Sequence, residues 1–288
     1  SCLIIVMIVG HSQQIKILSN MIESGKIPHA MLFDGLSGLG KKAVALDFAQ
    51  KIIGNSSIDL LVIEPEKGEI KIDQIRSLIE KFSMKPYSAL YKIAIINDAH
   101  LMNEYAQNSI LKILEEPTGD SILILVTDHG DSLLDTVRSR MSRVKFFPVS
   151  FGEIKKHLIS LGCQNDMAEE IALFSFGRPG VAIDFKNDYS KISFRREKIK
   201  ELMILISDKT PVYKKFEYIK KIEEPKDLLD IWLSYFRALM IKFVNGEKTN
   251  YSISKIIKIL TELENAICLI TRTNVNKKLV LETLIIKI

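Results

Sequence analysis

Apolar positions in the first half of the chain fall into two alternating patterns. Short continuous runs, HAMLFDG (29–35), DLLVIEP (59–65), YKIAIIND (91–98), SILILVTD (121–128) and SRVKFFPV (142–149), are rich in β-forming residues and end at turn residues. They read as strands buried on both faces. Between them the apolar spacing changes to three and four. In IKIDQIRSLIEKF (70–82), Ile72, Ile75, Leu78, Ile79 and Phe82 share one helical face, and NEYAQNSILKILEE (103–116) reads as a further helix. Strand and helix in alternation predict a parallel sheet with crossover helices.

After about Ser150 the strand pattern stops. Segments 151–161, 166–176 and 179–186 read as three short helices, and longer amphipathic helices follow from about Ile192, including 226–244 and 251–272. The expected organisation is an α/β nucleotide-type domain (1–150), a small helical domain (151–190) and an all-helical C-terminal domain (191–288).

Composition narrows the class. The 288 residues are 47% hydrophobic and 26% charged, enough for two or three small domains with cores of their own. Forty Lys and Arg against 35 Asp and Glu give a net charge of +5, which suits a polyanion partner or a solvated surface equally. Cys2, Cys163 and Cys268 stand singly, so neither a disulfide framework nor a zinc cluster is expected, and a reducing cytoplasm is. The apolar start CLIIVMIV is too short for a membrane span and lacks the basic flank of a signal peptide. Met7 offers a natural start, which would make residues 1–6 a foreign leader; the alternative is that they are native.

Candidate chemistry begins at GLSGLGKKA (35–43). Gly35-x-x-x-x-Gly40-Lys41, with Gly38 inside it, follows a strand and opens a helix expected over 40–53, the context a phosphate-binding loop requires. Backbone N–H groups and the helix N-terminus would face the phosphates, and Lys41 would reach their outer oxygens. A glycine-rich strand-to-helix turn without a ligand is the alternative. The next residue normally gives a hydroxyl to Mg²⁺, and here it is Lys42. An ammonium held near that metal would oppose it by about 4 kcal/mol at ~4 Å and an effective dielectric of ~20. Lys42 therefore either turns out to solvent or impairs the metal. In IAIINDAH, Asp98 has the form of the second nucleotide motif, or simply ends a strand. A glutamate usually follows to activate water; Ala99 has no proton acceptor, so the general-base contribution of ~10²–10⁴-fold is unsupplied.

GKIPHAMLFDGLSGLGKK, IKIDQIRSLIEKFSMKPYSALYKIAIINDAHLMNEYAQNSILKILEEP, LLDTVRSRM and the closing TNVNKKLVLETLIIKI together resemble the bacterial clamp-loader family of AAA+ proteins, and within it the delta-prime branch of the DNA polymerase III clamp loader. The resemblance implies an AAA+ P-loop domain, a helical lid and a helical collar. It also implies a degenerate nucleotide site. Hydrolysing members carry Lys-Thr/Ser and Asp-Glu where this chain has Lys41-Lys42 and Asp98-Ala99, and their sensing lid arginine falls on Gly180, with Arg178 close by. Thr127 matches the residue that senses the outer phosphate. The family's four-cysteine zinc module is absent from KIIGNSSIDLLV.

Ser139-Arg140-Met141 matches the family's serine-arginine-cysteine motif, so the resemblance makes Arg140 an arginine finger acting in trans on a neighbour's ATP. Read alone, it is a surface arginine at a helix end. The expected role is a non-hydrolysing scaffold subunit in a hetero-oligomeric ring with gamma/tau ATPase subunits and a delta subunit. That ring would act on a sliding clamp and primer-template DNA, in the cytoplasm and without a membrane. No cofactor is required, ATP or ADP binds at most weakly, no metal or zinc is held, and the chain has no ATPase activity of its own. The rival is an active gamma/tau-type motor, against which Lys42, Ala99 and Gly180 weigh.

Overall fold

The computed structural model describes residues 8–54, 56–117, 120–207, 210–222, 225–244, 246, 249–272 and 275–288. Cys2, Met7 and the expected leader 1–6 lie outside the described residues. Strands β1 (Ala30–Asp34), β2 (Leu60–Ile63), β3 (Lys92–Ile96), β4 (Ser121–Thr127) and β5 (Ser142–Lys145) fall within the five expected runs. All pair in parallel, in the order β2-β3-β4-β1-β5. Helices α1 (Ser12–Glu23), α2 (Lys41–Ile53), α3 (Ile72–Phe82), α4 (Glu104–Glu115) and the single turn α5 (Asp135–Arg138) lie between and before them.

Alternate residues of the central strands serve two cores. Ala30, Leu32, Ala94, Ile96, Leu123 and Leu125 pack with Ile75, Leu78 and Ile110 of α3 and α4. Their neighbours Met31, Phe33, Ile93, Ile95, Ile122 and Ile124 pack with Val44 and Phe48 of α2. A strand read on both faces needs apolar residues throughout, which is why these runs are continuous. The expectation of two buried faces fails at the sheet edges. Val62 is 39% exposed, and Val144 is the one buried residue of β5. Each edge strand has one neighbour, so part of its surface stays in water whatever its sequence.

Local chemistry sets several element ends. The Asn103 side chain accepts from the Ala106 amide at the start of α4 (2.9 Å). Ser150 and Glu153 form a reciprocal capping box at the start of α6 (Phe151–Ser160). The turn from 83 to 90 is tied down by Asp59, whose carboxylate accepts from the amides of Tyr87, Ser88 and Ala89 at 2.6, 3.0 and 3.0 Å.

By compactness the chain divides into residues up to Leu161 with Gly177–Val181, and Gly162–Phe176 with Ala182–Ile288. This partition follows contact, whereas the expected boundaries at 150 and 190 follow the change in pattern. The second unit is helical: α7 (Asn165–Ser175), α9 (Ser190–Ile206), α10 (Val212–Lys220), α11 (Pro225–Val244), α12 (Ile253–Arg272) and α13 (Lys277–Lys287). Between them in sequence, α8 (Pro179–Asn187) starts in the first unit and ends in the second. Trp232, Phe236, Ile256, Leu263, Leu281 and Leu284 form the centre of the second unit's own core. Cys163 precedes α7 and Cys268 lies in α12. Among the described residues no helix is long and apolar enough to cross a membrane.

Candidate functional site

Parallel pairing brings the C-terminal ends of the strands to one edge, where ligands of open α/β sheets gather. Gly35 follows β1, Glu64 follows β2, Asn97 and Asp98 follow β3, and Asp128 follows β4. The loop from Gly35 to Gly40 needs its glycines for close approach. A Cβ on Gly35 would lie 2.5 Å from the Phe146 carbonyl oxygen. Gly38, at φ 77°, would place one 2.8 Å from Val181. Gly40 caps α2 with a left-handed backbone.

The loop is braced from both sides. His11, buried at the start of α1, has Nε2 2.8 Å from the Leu39 carbonyl oxygen. Burial holds the His11 imidazole below its ordinary pKa. Across the loop, Gly180 donates its amide to the Gly38 carbonyl (2.8 Å), and a Cβ on Gly180 would lie 3.0 Å from that oxygen. Gly180, the position where the sequence resemblance leads one to expect a sensing arginine, thus packs against the loop backbone.

Lys41 is 4% exposed, and its ammonium spends all three N–H bonds inside the site: on the carbonyls of Gly35 and Leu36 and on Asp128 Oδ1, each at 2.7 Å. Lys42 takes the solvent-facing alternative, pairing with Glu64 at 2.6 Å in the open. From Glu64 the network runs through Asn97 Nδ2 (3.1 Å) to Asp98 Oδ2 (2.9 Å). Ala99 has no exposed surface and belongs to the core beneath the sheet.

Asp98 sits in a left-handed conformation, φ 49°, at the entry to a short 3₁₀ turn. Burial and then the Asp128 carboxylate push its carboxyl above the usual range, with partial relief from His100. Asp98, His100 and Asp128 each present one ligand-capable atom within 4.8 Å of the others. Thr127 is fully buried; its hydroxyl accepts from the His129 amide (3.1 Å) and lies 3.3 Å from His100 Nδ1.

Arg140 lies apart from this cluster in the sequence, after α5. Its Nη1 donates to the Thr136 carbonyl (2.9 Å) and its Nη2 pairs with Glu115 Oε1 (2.8 Å), with the side chain 38% exposed. Its neighbours are committed elsewhere. Arg138 is held by Asp131 and Asp135, and Arg143 by Asp34 across the β1–β5 pair. Met141 is buried in the core.

The structure brings Gly35, Gly38, Gly40, Lys41, Asp98 and Thr127 to one strand edge and turns Lys42 outward. Sequence reasoning missed Asp128, His100, Glu64 and Glu115. Asp128 had a signal, a charge directly after a strand that is otherwise apolar. Glu115 had none, because its partner is 25 positions away and no periodicity links them.

Residues 10–150 match the family model for DNA polymerase III, delta subunit. The chain is similar to DNA polymerase III subunit delta' of Bacillus subtilis (strain 168), 34% identical over 176 residues, covering 54% of this chain and 54% of that protein. It is also similar to DNA polymerase III subunit gamma of Buchnera aphidicola subsp. Schizaphis graminum, 28% identical over 190 residues, covering 58% of this chain and 52% of that one. The chain thus spans about half the length of these curated relatives. Among solved structures, a DNA polymerase III gamma subunit-related protein from Thermotoga maritima aligns over 95% of this chain and 97% of its own, with a TM-score of 0.51 and 19% identity. That likeness is one of fold.

Proposed function

We propose that this chain, a member of the AAA+ clamp-loader family on its delta-prime branch, is a non-hydrolysing scaffold subunit that completes the loader ring and presents Arg140 to ATP bound by a neighbour. One observation carries the first half of this reading. Where a hydrolase needs a metal-binding hydroxyl and a base, Lys42 is paired outward with Glu64, and Ala99 is sealed in the core. The residues present do not fit a magnesium nucleotide poised for hydrolysis, since position 42 offers the metal no hydroxyl and position 99 offers the attacking water no carboxylate.

Arg140 supports the second half. It is permanently charged, planar and exposed, and can offer paired N–H groups to phosphate oxygens as charge develops on them. The neighbours would be gamma/tau-type ATPase subunits and a delta subunit, and the assembled ring would act on a sliding clamp and primer-template DNA.

The rival, an active gamma/tau-type motor, draws on the retained glycines and Lys41 and on the likeness to a gamma subunit. ATP turnover by the purified chain alone, then with a gamma-type partner, separates the two. The scaffold reading expects turnover only in the mixture. Turnover by the chain alone, abolished by Lys41→Ala, favours the motor.

A further inference from the structure

We infer that Glu115 is a counterion latch that holds Arg140 against its own domain and sets how readily the arginine engages a polyphosphate. The inference rests on the finger reading above and concerns its regulation. Glu115 is the last residue of α4, and Arg140 follows α5, so their 2.8 Å contact is a tertiary one, between elements that also meet where the Leu134 amide donates to Gln107 Oε1 at 2.7 Å. The guanidinium has five N–H bonds. Nη1 serves the Thr136 carbonyl and, at 3.5 Å, the Ser139 hydroxyl, and one bond on Nη2 serves Glu115, leaving Nε–H and one on Nη2.

The neutral acceptors and the charged one behave differently when a phosphate arrives. The carbonyl is neutral and can keep its bond. The Glu115 carboxylate is a full charge of the same sign as the phosphate, so it must withdraw or share the guanidinium against repulsion. Exposure makes withdrawal feasible. Glu115 is 52% exposed and Arg140 38%, whereas Arg143 is bound to an Asp34 that is only 10% exposed, and Arg138 is gripped by two carboxylates. Arg140 is thus the one of the three whose single carboxylate partner lies largely in water. An exposed pair of this kind shifts an equilibrium by about two- to fivefold, enough to tune engagement without preventing it.

The test compares wild type, Glu115→Gln, Arg140→Ala and the double variant, each assembled with a gamma-type ATPase partner, with folding checked by circular dichroism. Glu115→Gln should raise ATP hydrolysis at saturating ATP about two- to fivefold, with the gain absent in the Arg140→Ala background. The gain should shrink as salt rises from about 50 to 300 mM, because salt already loosens the wild-type pair. Loss of hydrolysis with Arg140→Ala, together with an unchanged or lowered rate for Glu115→Gln, overturns the latch and leaves the finger standing. A gain that persists without Arg140 also overturns the latch. An unaltered rate with Arg140→Ala overturns the finger and the latch together.

Discussion

Asp59, a carboxylate with no exposed surface, collects hydrogen bonds from the Ser56 hydroxyl and three successive amides of the 83–90 turn. Burial alone would push its carboxyl up; the hydrogen bonds outweigh burial and hold it well below the usual carboxylate range. Its contribution to stability is therefore whole above its unfolded value near 3.8 and is lost as pH falls from there through the folded value. Asp59→Asn should cost about 2–4 kcal/mol, since an amide cannot accept from all three N–H groups, and should flatten the acid limb of stability against pH in urea unfolding. At the nucleotide site, Ala99→Glu should supply no ATPase activity. It must instead bury a carboxylate in the core, lowering stability by about 2–5 kcal/mol in the same assay. Turnover gained by Ala99→Glu with Lys42→Thr would show the site to be intact apart from those two residues. Arg140→Ala should leave folding unchanged and depress ATP hydrolysis by the assembled ring, with Arg140→Lys an incomplete rescue because it lacks the planar fork. Arg143 is a poor control for that experiment, since its loss strands the largely buried Asp34.

At the scale of elements, the first turn of α8 and the phosphate-type loop form one packed unit through the Gly180 amide and the Val181 side chain. Gly180→Arg, which places an arginine where the resemblance leads one to expect a sensing arginine, should therefore lower the melting temperature without raising nucleotide affinity. Its Cβ would meet the Gly38 carbonyl oxygen at 3.0 Å, so the loop backbone must give by a few tenths of an ångström to admit it. Isothermal titration with ATP that shows a new affinity at unchanged stability would contradict this account. The Glu115–Arg140 contact belongs to the same scale: it joins the end of α4 to the segment after α5, with each turn already complete on its own.

For the whole molecule, the cores are private. The two clusters flanking the sheet draw their buried residues from 18–146, and the helical cluster draws its own from 202–285. Deleting residues 192–288 should thus leave the sheet folded while abolishing assembly with partner subunits, as read by gel filtration. Helix α7 should loosen, because Arg195 donates to the Phe174 carbonyl (3.2 Å) and is lost with the deletion. Full assembly by the truncated chain would refute a collar role for the C-terminal helices.

The sequence by itself determined the sheet, because continuous apolar runs bounded by turns have few other ways to be buried, and the crossover helices declare themselves by their three-and-four spacing. It also determined what two positions cannot supply, since no fold can make Lys42 a metal-binding hydroxyl or Ala99 a base. Tertiary structure decided which strands are edges, because exposure depends on neighbours and not on the run itself. It also decided where the charges point. Lys42 could have faced a metal or the solvent, and Glu64, 22 positions away, pulled it outward. Arg140 gained Glu115 in the same way. Ion pairs between distant positions leave no periodic trace along a chain, because they are selected by the geometry of the folded surface.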